Sequence, residues 1–87
     1  MQYKFKKPFK FGNETIETVE LKEEFTMGDM IRITNAQGKG DQSGAMVVAA
    51  TGWPLPKVVQ IPMVDAVAIV EKVSSFFDLD QEENSMT

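Results

Sequence analysis

The stretch from Pro62 to Phe77 most constrains the fold, because it is the longest run of the chain that can form one helix. Proline suits a first helical position, since it lacks the backbone N–H that would have no partner there. Apolar residues recur at spacings of three and four, which predicts one apolar face. The residues on this face are Met63, Val67, Val70, Val73 and Phe77. We expect this face to be covered by the rest of the chain.

Two other apolar side chains of this stretch fall outside that face. Ile69 and Phe76 flank Lys72 on the opposite side, where Asp65 is also expected to lie exposed near the positive end of the helix dipole. The helix is therefore more apolar than one core contact requires. We interpret Ile69 and Phe76 as contacts to a partner.

Length and composition limit the class of protein. The 87 residues suffice for one domain with a modest core, and 43% hydrophobic and 25% charged residues are typical of soluble globular proteins. The chain has no cysteine and no histidine, so thiolate and imidazole ligands and the usual general base are missing. No carboxylate pair or activated nucleophile stands out either. We predict a protein that is not an enzyme and has no catalytic residues, metal or cofactor.

Charge and hydropathy restrict the partners. We see no secretory signal and no apolar run of about 20 residues, so we expect a soluble intracellular protein without a membrane contact. Residues 1–12 carry four lysines and no acid, which leaves −8 on the rest of a chain whose net charge is −4. An acidic chain of this kind argues against nucleic-acid binding.

The first 22 residues predict a β-hairpin. Aromatic residues alternate with mostly basic ones from Tyr3 to Phe11, so the aromatics and the lysines are expected on opposite faces of an edge strand. Gly12-Asn13 is a turn signal, and a second strand follows. Ile16 has the wrong parity relative to Val19, which predicts a bulge near Ile16. We also expect lysines of the first strand to pair with glutamates of the second.

Three helices are predicted after the hairpin. Thr26 and Asp29 form a capping-box pattern that starts a helix at about Met27. Residues 38–44 lack the pattern of a phosphate-binding loop, and we interpret them as a linker between helices. A short second helix runs over residues 45–50, capped by Asp41 or Ser43, and ends at Gly52. A single turn is expected at Val58-Val59 before the long helix.

The predicted fold class is therefore α+β, an N-terminal antiparallel β-hairpin followed by three α-helices in one small domain over residues 1–77. Residues 78–87 are acidic, and we expect them to form a disordered tail.

Trp53 and the methionines each have two interpretations. Trp53 can anchor a partner or cover the core. The methionines Met27, Met30, Met46 and Met63 can fill the core or form an adaptable apolar surface. Both interpretations stay open for each residue.

Several segments together resemble a known family. These are Val19-Glu20-Leu21-Lys22, Thr26-Met27-Gly28-Asp29-Met30, Thr51-Gly52-Trp53-Pro54 and Asp65 within the last helix. Their order resembles the small tail assembly chaperones of contractile-tailed bacteriophages, the family that includes the E protein of phage P2 and the gp41 protein of phage Mu. The likeness runs from about Tyr3 to Phe77. Family members often have a proline directly before the threonine cap and an arginine ahead of it, where this chain has Phe25 and Lys22.

The resemblance implies a non-enzymatic protein of the bacterial host cytoplasm that keeps the long helical tape-measure protein soluble while tail-tube subunits polymerise around it, and that is absent from the mature virion. The tail-tube protein and self-association are further candidate contacts, and a translational frameshift near the end of the reading frame is often found in this family. We expect the partner-binding residues to come from a set of which several members also belong to the core: Trp53, Met63, Val67, Ile69, Val70, Val73, Phe76 and Phe77.

Two other functions remain open. The chain could be a small structural tail or head-completion protein that stays in the particle. It could also be a small regulatory module that binds a protein or nucleic acid and has no link to phage.

Overall fold

A two-stranded antiparallel sheet followed by four helices makes up the part of the chain that this computed structural model describes, residues 1–76. The elements are β1 (Gln2–Phe11), β2 (Glu14–Glu20), α1 (Met27–Asn35), α2 (Gly38–Thr51), α3 (Leu55–Val58) and α4 (Met63–Ser75). The α+β order is confirmed, but the described residues contain four helices rather than three, because the single turn expected at Val58-Val59 is replaced by the short helix α3, which begins at Leu55 and ends at Val58. Phe77 and the acidic tail expected over residues 78–87 lie outside the described residues.

The hairpin contains the irregularity that the parity of Ile16 predicted. Lys4 lies opposite Thr18 and Phe9 lies opposite Ile16, so β1 advances five residues while β2 advances two. The extra residues therefore lie in β1 and include Pro8, which has no N–H to donate to the ladder. The bulge is real, but it lies in the opposite strand from the one expected.

The expected cross-strand pairs between lysine and glutamate are wrong. Lys4 faces Thr18 and Lys10 faces Thr15, so the paired lysines of β1 face threonines on both sides of the bulge. Within residues 1–76, the ion pairs instead join the N-terminal amine to Glu20 and Glu23, and Lys22 to Asp29. The predicted separation of faces holds, since Tyr3 and Phe5 are buried while their lysine neighbours are exposed.

Helix α1 begins at the predicted capping box. The Asp29 N–H donates to Thr26 Oγ1 at 3.2 Å, and the Thr26 N–H donates to Asp29 Oδ2 at 3.0 Å. Lys22 Nζ donates to the same carboxylate at 2.7 Å. The hydrogen bond from Lys22 and those with Thr26 lower the pKa of Asp29 despite its burial. This local network ties the start of α1 to the end of the hairpin.

Helix α2 is longer than predicted. It begins at Gly38, so the segment 38–44 expected to be a linker is the first half of a 14-residue helix. Glycine weakens a helix without forbidding it, and the apolar second half of α2 packs into the core. At the other end, Gly52 adopts the predicted left-handed conformation with φ of 74°.

The carboxylate of Asp65 joins α4 to β1. Its Oδ1 accepts hydrogen bonds from the Tyr3 hydroxyl at 2.6 Å and the Lys6 N–H at 2.7 Å, and its Oδ2 accepts from the Lys7 N–H at 3.0 Å. Both N–H groups belong to the bulged segment of β1. The side chain is fully buried, so its predicted exposed position is wrong. Three donors offset the cost of removing the carboxylate from water.

The same hydrogen bonds shift two pKa values in opposite directions. Burial alone would raise the pKa of Asp65, but the hydrogen bonds from Tyr3, Lys6 and Lys7 outweigh it and the pKa is lowered. Burial, together with the hydrogen bond to Asp65, raises the pKa of Tyr3 to about 12. The folded state therefore favours an ionised Asp65 beside a neutral Tyr3.

The hydrophobic core lies between the hairpin and the helices. Ile69 and Val73 follow Asp65 at spacings of four, so all three side chains point to the same side of α4, and all are fully buried. The buried core residues are Tyr3, Phe5, Ile16, Val19, Leu21, Val47, Ala50, Val58, Ile61, Ile69 and Val73.

We predict that Asp65→Asn lowers the free energy of unfolding by about 3 kcal/mol, because the amide turns one acceptor into a donor that faces the existing donors. Urea denaturation monitored by circular dichroism measures this change. Asp41→Asn is the control at an exposed position and should change stability by less than about 0.5 kcal/mol. Equal losses in the two variants would contradict the role assigned to Asp65.

We also predict that alkaline pH removes the stabilisation from the Tyr3 hydroxyl. Because the pKa of Tyr3 is raised from 10.0 to about 12, its contribution is complete below pH 10 and is lost as the pH rises towards 12. The difference in unfolding free energy between the natural chain and Tyr3→Phe should therefore shrink between pH 9.5 and 11.5. A constant difference over this range would disprove the assignment.

The stabilisation from Asp65 depends on pH in the opposite direction. Because the pKa of Asp65 is lowered, its contribution is lost as the pH falls through that value.

Candidate functional site

An apolar groove of about 490 Å³ lies between α2 and α4. We call it the α2–α4 groove. Its lining residues are Gly40, Ser43, Gly44 and Val47 of α2, Val58, Val59 and Ile61 of α3 and the turn after it, and Met63, Ala66, Val67, Val70 and Glu71 of α4. The groove is therefore built on the side of α4 that does not face the hairpin.

One wall of the groove is nearly bare helical backbone. Gly40, Ser43, Gly44 and Val47 follow at spacings of three and four, so they share one face of α2. A Cβ added to Gly40 would meet no heavy atom within 4 Å, and one added to Gly44 would reach only Leu55 Cδ1, at 3.8 Å. The space beside these glycines is thus open.

The opposite wall exposes apolar side chains. Met63 is 76% exposed and Val67 is 49% exposed, although both belong to the predicted core face of α4. Val59 also lines the groove and is exposed, and the exposed Leu55 lies next to Gly44 at the α2 wall. Apolar side chains grouped around a concave surface are typical of sites that bind a partner.

Charge in the groove comes from one carboxylate. Among the described residues that line the groove, Glu71 is the only charged one. No ion pair within residues 1–76 involves it. A partner with a positive charge at this end of the groove would meet an available carboxylate.

The described part of the chain contains neither a metal-binding cluster nor a membrane-spanning helix. Residues 1–76 contain no group of three or more acidic, histidine or cysteine side chains placed to hold a metal ion. Over the same residues, no helix has the length and apolar character needed to cross a membrane. The geometry of the groove is that of a surface for binding another apolar surface.

Comparison with known proteins identifies the family. A family model described as "Phage tail assembly chaperone proteins, E, or 41 or 14" matches residues 2–78. The chain belongs to this family of phage tail assembly chaperones. The match covers every helix and strand described above, and it confirms the resemblance inferred from the sequence. Neither the curated proteins nor the solved structures contain a match.

The structure of this tail assembly chaperone divides the predicted partner-binding residues. Met63, Val67 and Val70 line the α2–α4 groove, whereas Ile69 and Val73 are fully buried in the core. The interpretation of Ile69 as an exposed partner contact is wrong, and so is that of Met63 and Val67 as covered core residues. The reason is that Asp65, which hydropathy predicts to be exposed, is buried, so the side of α4 that carries Asp65 faces the core.

The aromatic members of the predicted set are packed. The Phe76 ring is half-buried and lies 5.9 Å from the Phe25 ring. Trp53 is also half-buried; its ring stacks on Phe5 with 6.3 Å between centroids, and Lys57 Nζ lies 4.2 Å from the Trp53 centroid. The described fold therefore uses Trp53 to cover the core, which was one of its two interpretations. Phe77 lies outside the described residues.

Sequence reasoning missed the α2 side of the groove. The sequence predicts a linker at Gly40 and Gly44, and the signal for a bare helix face is the spacing of four between these two glycines. A second apolar surface was also missed, since Met27 and Ile31 are exposed on α1 at a spacing of four.

We predict that truncating the two sides of α4 has very different effects. Ile69→Ala should lower the free energy of unfolding by about 2–5 kcal/mol, because it opens a cavity in the core. Met63→Ala should change it by less than about 0.5 kcal/mol, because that side chain is mostly in solvent. Thermal and urea unfolding of both variants test this, and comparable losses would show that α4 is oriented differently.

Proposed function

We propose that this tail assembly chaperone binds the tape-measure protein in the α2–α4 groove and keeps it soluble while the tail tube is assembled. In this proposal it acts in the host cytoplasm by binding alone, performs no chemistry and is absent from the mature virion. The observation that carries the proposal is the groove itself, where Met63 and Val67 are exposed beside an otherwise well-packed core.

The physical basis is temporary coverage of apolar surface. A long helical protein that will be enclosed by a tube exposes apolar stripes until the tube covers them, and such stripes cause aggregation. Covering apolar surface is worth about 25 cal/mol per Å² before the costs of association are subtracted. A flexible thioether such as that of Met63 can adapt to different apolar side chains. The groove can therefore cover a stripe and later release it.

A second surface supports further contacts. Met27 and Ile31 on α1 are exposed and lie apart from the residues that line the groove. We assign this pair to contacts with the tail-tube protein or between copies of the chaperone. Any longer product made by a frameshift within residues 78–87 would keep the groove, because the groove residues all precede that segment.

We predict that a charge in the groove abolishes the protection of the tape-measure protein. Val67→Asp places a carboxylate in the groove, and co-expression of this variant with the tape-measure protein should yield about tenfold less soluble tape-measure protein than the natural chaperone. The measurement is the soluble fraction of the tape-measure protein after lysis and centrifugation.

Val64→Asp is the matched control. Val64 is on the same helix and is 48% exposed against 49% for Val67, but it does not line the groove. It should protect the tape-measure protein as the natural chain does, and circular dichroism should show that both variants fold. Equal protection by the two variants would refute the groove as the binding site.

Two other results would favour the alternative functions. Peptides of this chain at the abundance of a tail subunit in purified virions would indicate a structural protein. Salt-sensitive DNA binding by the pure chain would indicate a regulatory module.

A further inference from the structure

We infer that the α2–α4 groove binds a single amphipathic α-helix, whose backbone lies close to the bare face of α2 and whose apolar stripe is bordered by a lysine or arginine that pairs with Glu71. This inference rests on the proposed function and specifies which part of the partner is bound. It follows from the hydrogen-bonding capacity of the groove, from its two glycines and from its charge.

The groove favours a helix over an extended segment. Both long walls are helices; beyond the first turns of α2 and α4 their backbone N–H groups are bonded within the helices, and the lining side chains are apolar except for Ser43 and Glu71. An extended segment would bring N–H and C=O groups that find few partners here, and unpaired buried groups are costly. A helix satisfies its own backbone hydrogen bonds. The groove runs about 11 Å along α2 and about 12 Å along α4, which matches two turns of helix.

The glycines of α2 allow the bound helix to come close. Gly40 and Gly44 do not have positive φ, and neither is required by a close internal contact. Each weakens α2 relative to alanine, and within residues 1–76 no close packing requires either glycine. Helix axes approach most closely where the contact residues are small. The open space beside these glycines therefore fits the backbone or small side chains of a partner helix.

The charge of the groove determines which residues can lie next to the apolar stripe of the bound helix. Glu71 is exposed, lines the groove and has no ion pair within the described residues. A lysine or arginine next to the apolar stripe of the partner would pair with it, whereas a glutamate there would be repelled.

Three probes test the inference. Two are synthetic helical peptides of about 24 residues with the same stripe of alanine and leucine, bordered by lysines in one peptide and by glutamates in the other. The third is the tape-measure protein itself. Binding is measured by fluorescence anisotropy, and ¹⁵N NMR follows the amide resonances of Gly40 and Gly44. We expect the lysine peptide to shift these two resonances and to bind at least tenfold more tightly than the glutamate peptide.

Gly44→Ala separates binding from stability. The added methyl group strengthens α2 and should raise the melting temperature by about 4–8 °C. It also occupies the approach path, so affinity for the lysine peptide and for the tape-measure protein should fall about tenfold. Gly28→Ala changes a helical glycine outside the groove and should leave both affinities unchanged. Glu71→Gln should remove the preference for the lysine peptide.

The outcomes distinguish this inference from the proposed function. If Gly44→Ala binds the tape-measure protein as tightly as the natural chain does, the inference is wrong and the proposed function stands. If the lysine peptide binds at Gly40 and Gly44 but the tape-measure protein does not bind, the proposed function is wrong and the helical occupant stands. Binding of no probe, or sedimentation showing that the groove is filled by a second copy, overturns the inference.

Discussion

The fold depends on one buried carboxylate. Asp65 accepts hydrogen bonds from a tyrosine hydroxyl and from two backbone N–H groups that the bulge of β1 leaves outside the ladder. Without Asp65, the N–H groups of Lys6 and Lys7 would lose their partner, and without the bulge Asp65 would lose these two donors. This contact fixes the rotation of α4 about its axis. Ile69 and Val73 enter the core because they lie on the same side of α4 as Asp65.

The rotation of α4 also creates the groove. With Asp65 inward, Met63 and Val67 point away from the hairpin and face the bare wall of α2. The same helix thus supplies the core on one side and the binding surface on the other. A substitution at Met63 or Val67 removes little buried area, whereas one at Ile69 or Val73 removes packing in the core.

Local signals in the sequence predicted much of the fold. The alternation in the hairpin, the capping box at Thr26 and Asp29 and the left-handed Gly52 depend on neighbours within a few residues, so all three could be identified. The orientation of α4 could not be predicted, because α4 is apolar on most sides and its aspartate, Asp65, is expected from hydropathy to be exposed. Its true position depends on donors about 60 residues earlier in the chain. The start of α2 was missed because glycines are normally a signal for a break.

The bare wall of α2 has a consequence for recognition. Side chains select a partner by their shapes, but helical backbone presents nearly the same surface at every turn and has little that can clash with a different sequence. A groove with such a wall can accept many registers of a long, repetitive helix. If the partner is the helix inferred above, the groove fits any stretch of it that repeats the apolar stripe and its basic border, so recognition depends on that pattern rather than on a single sequence.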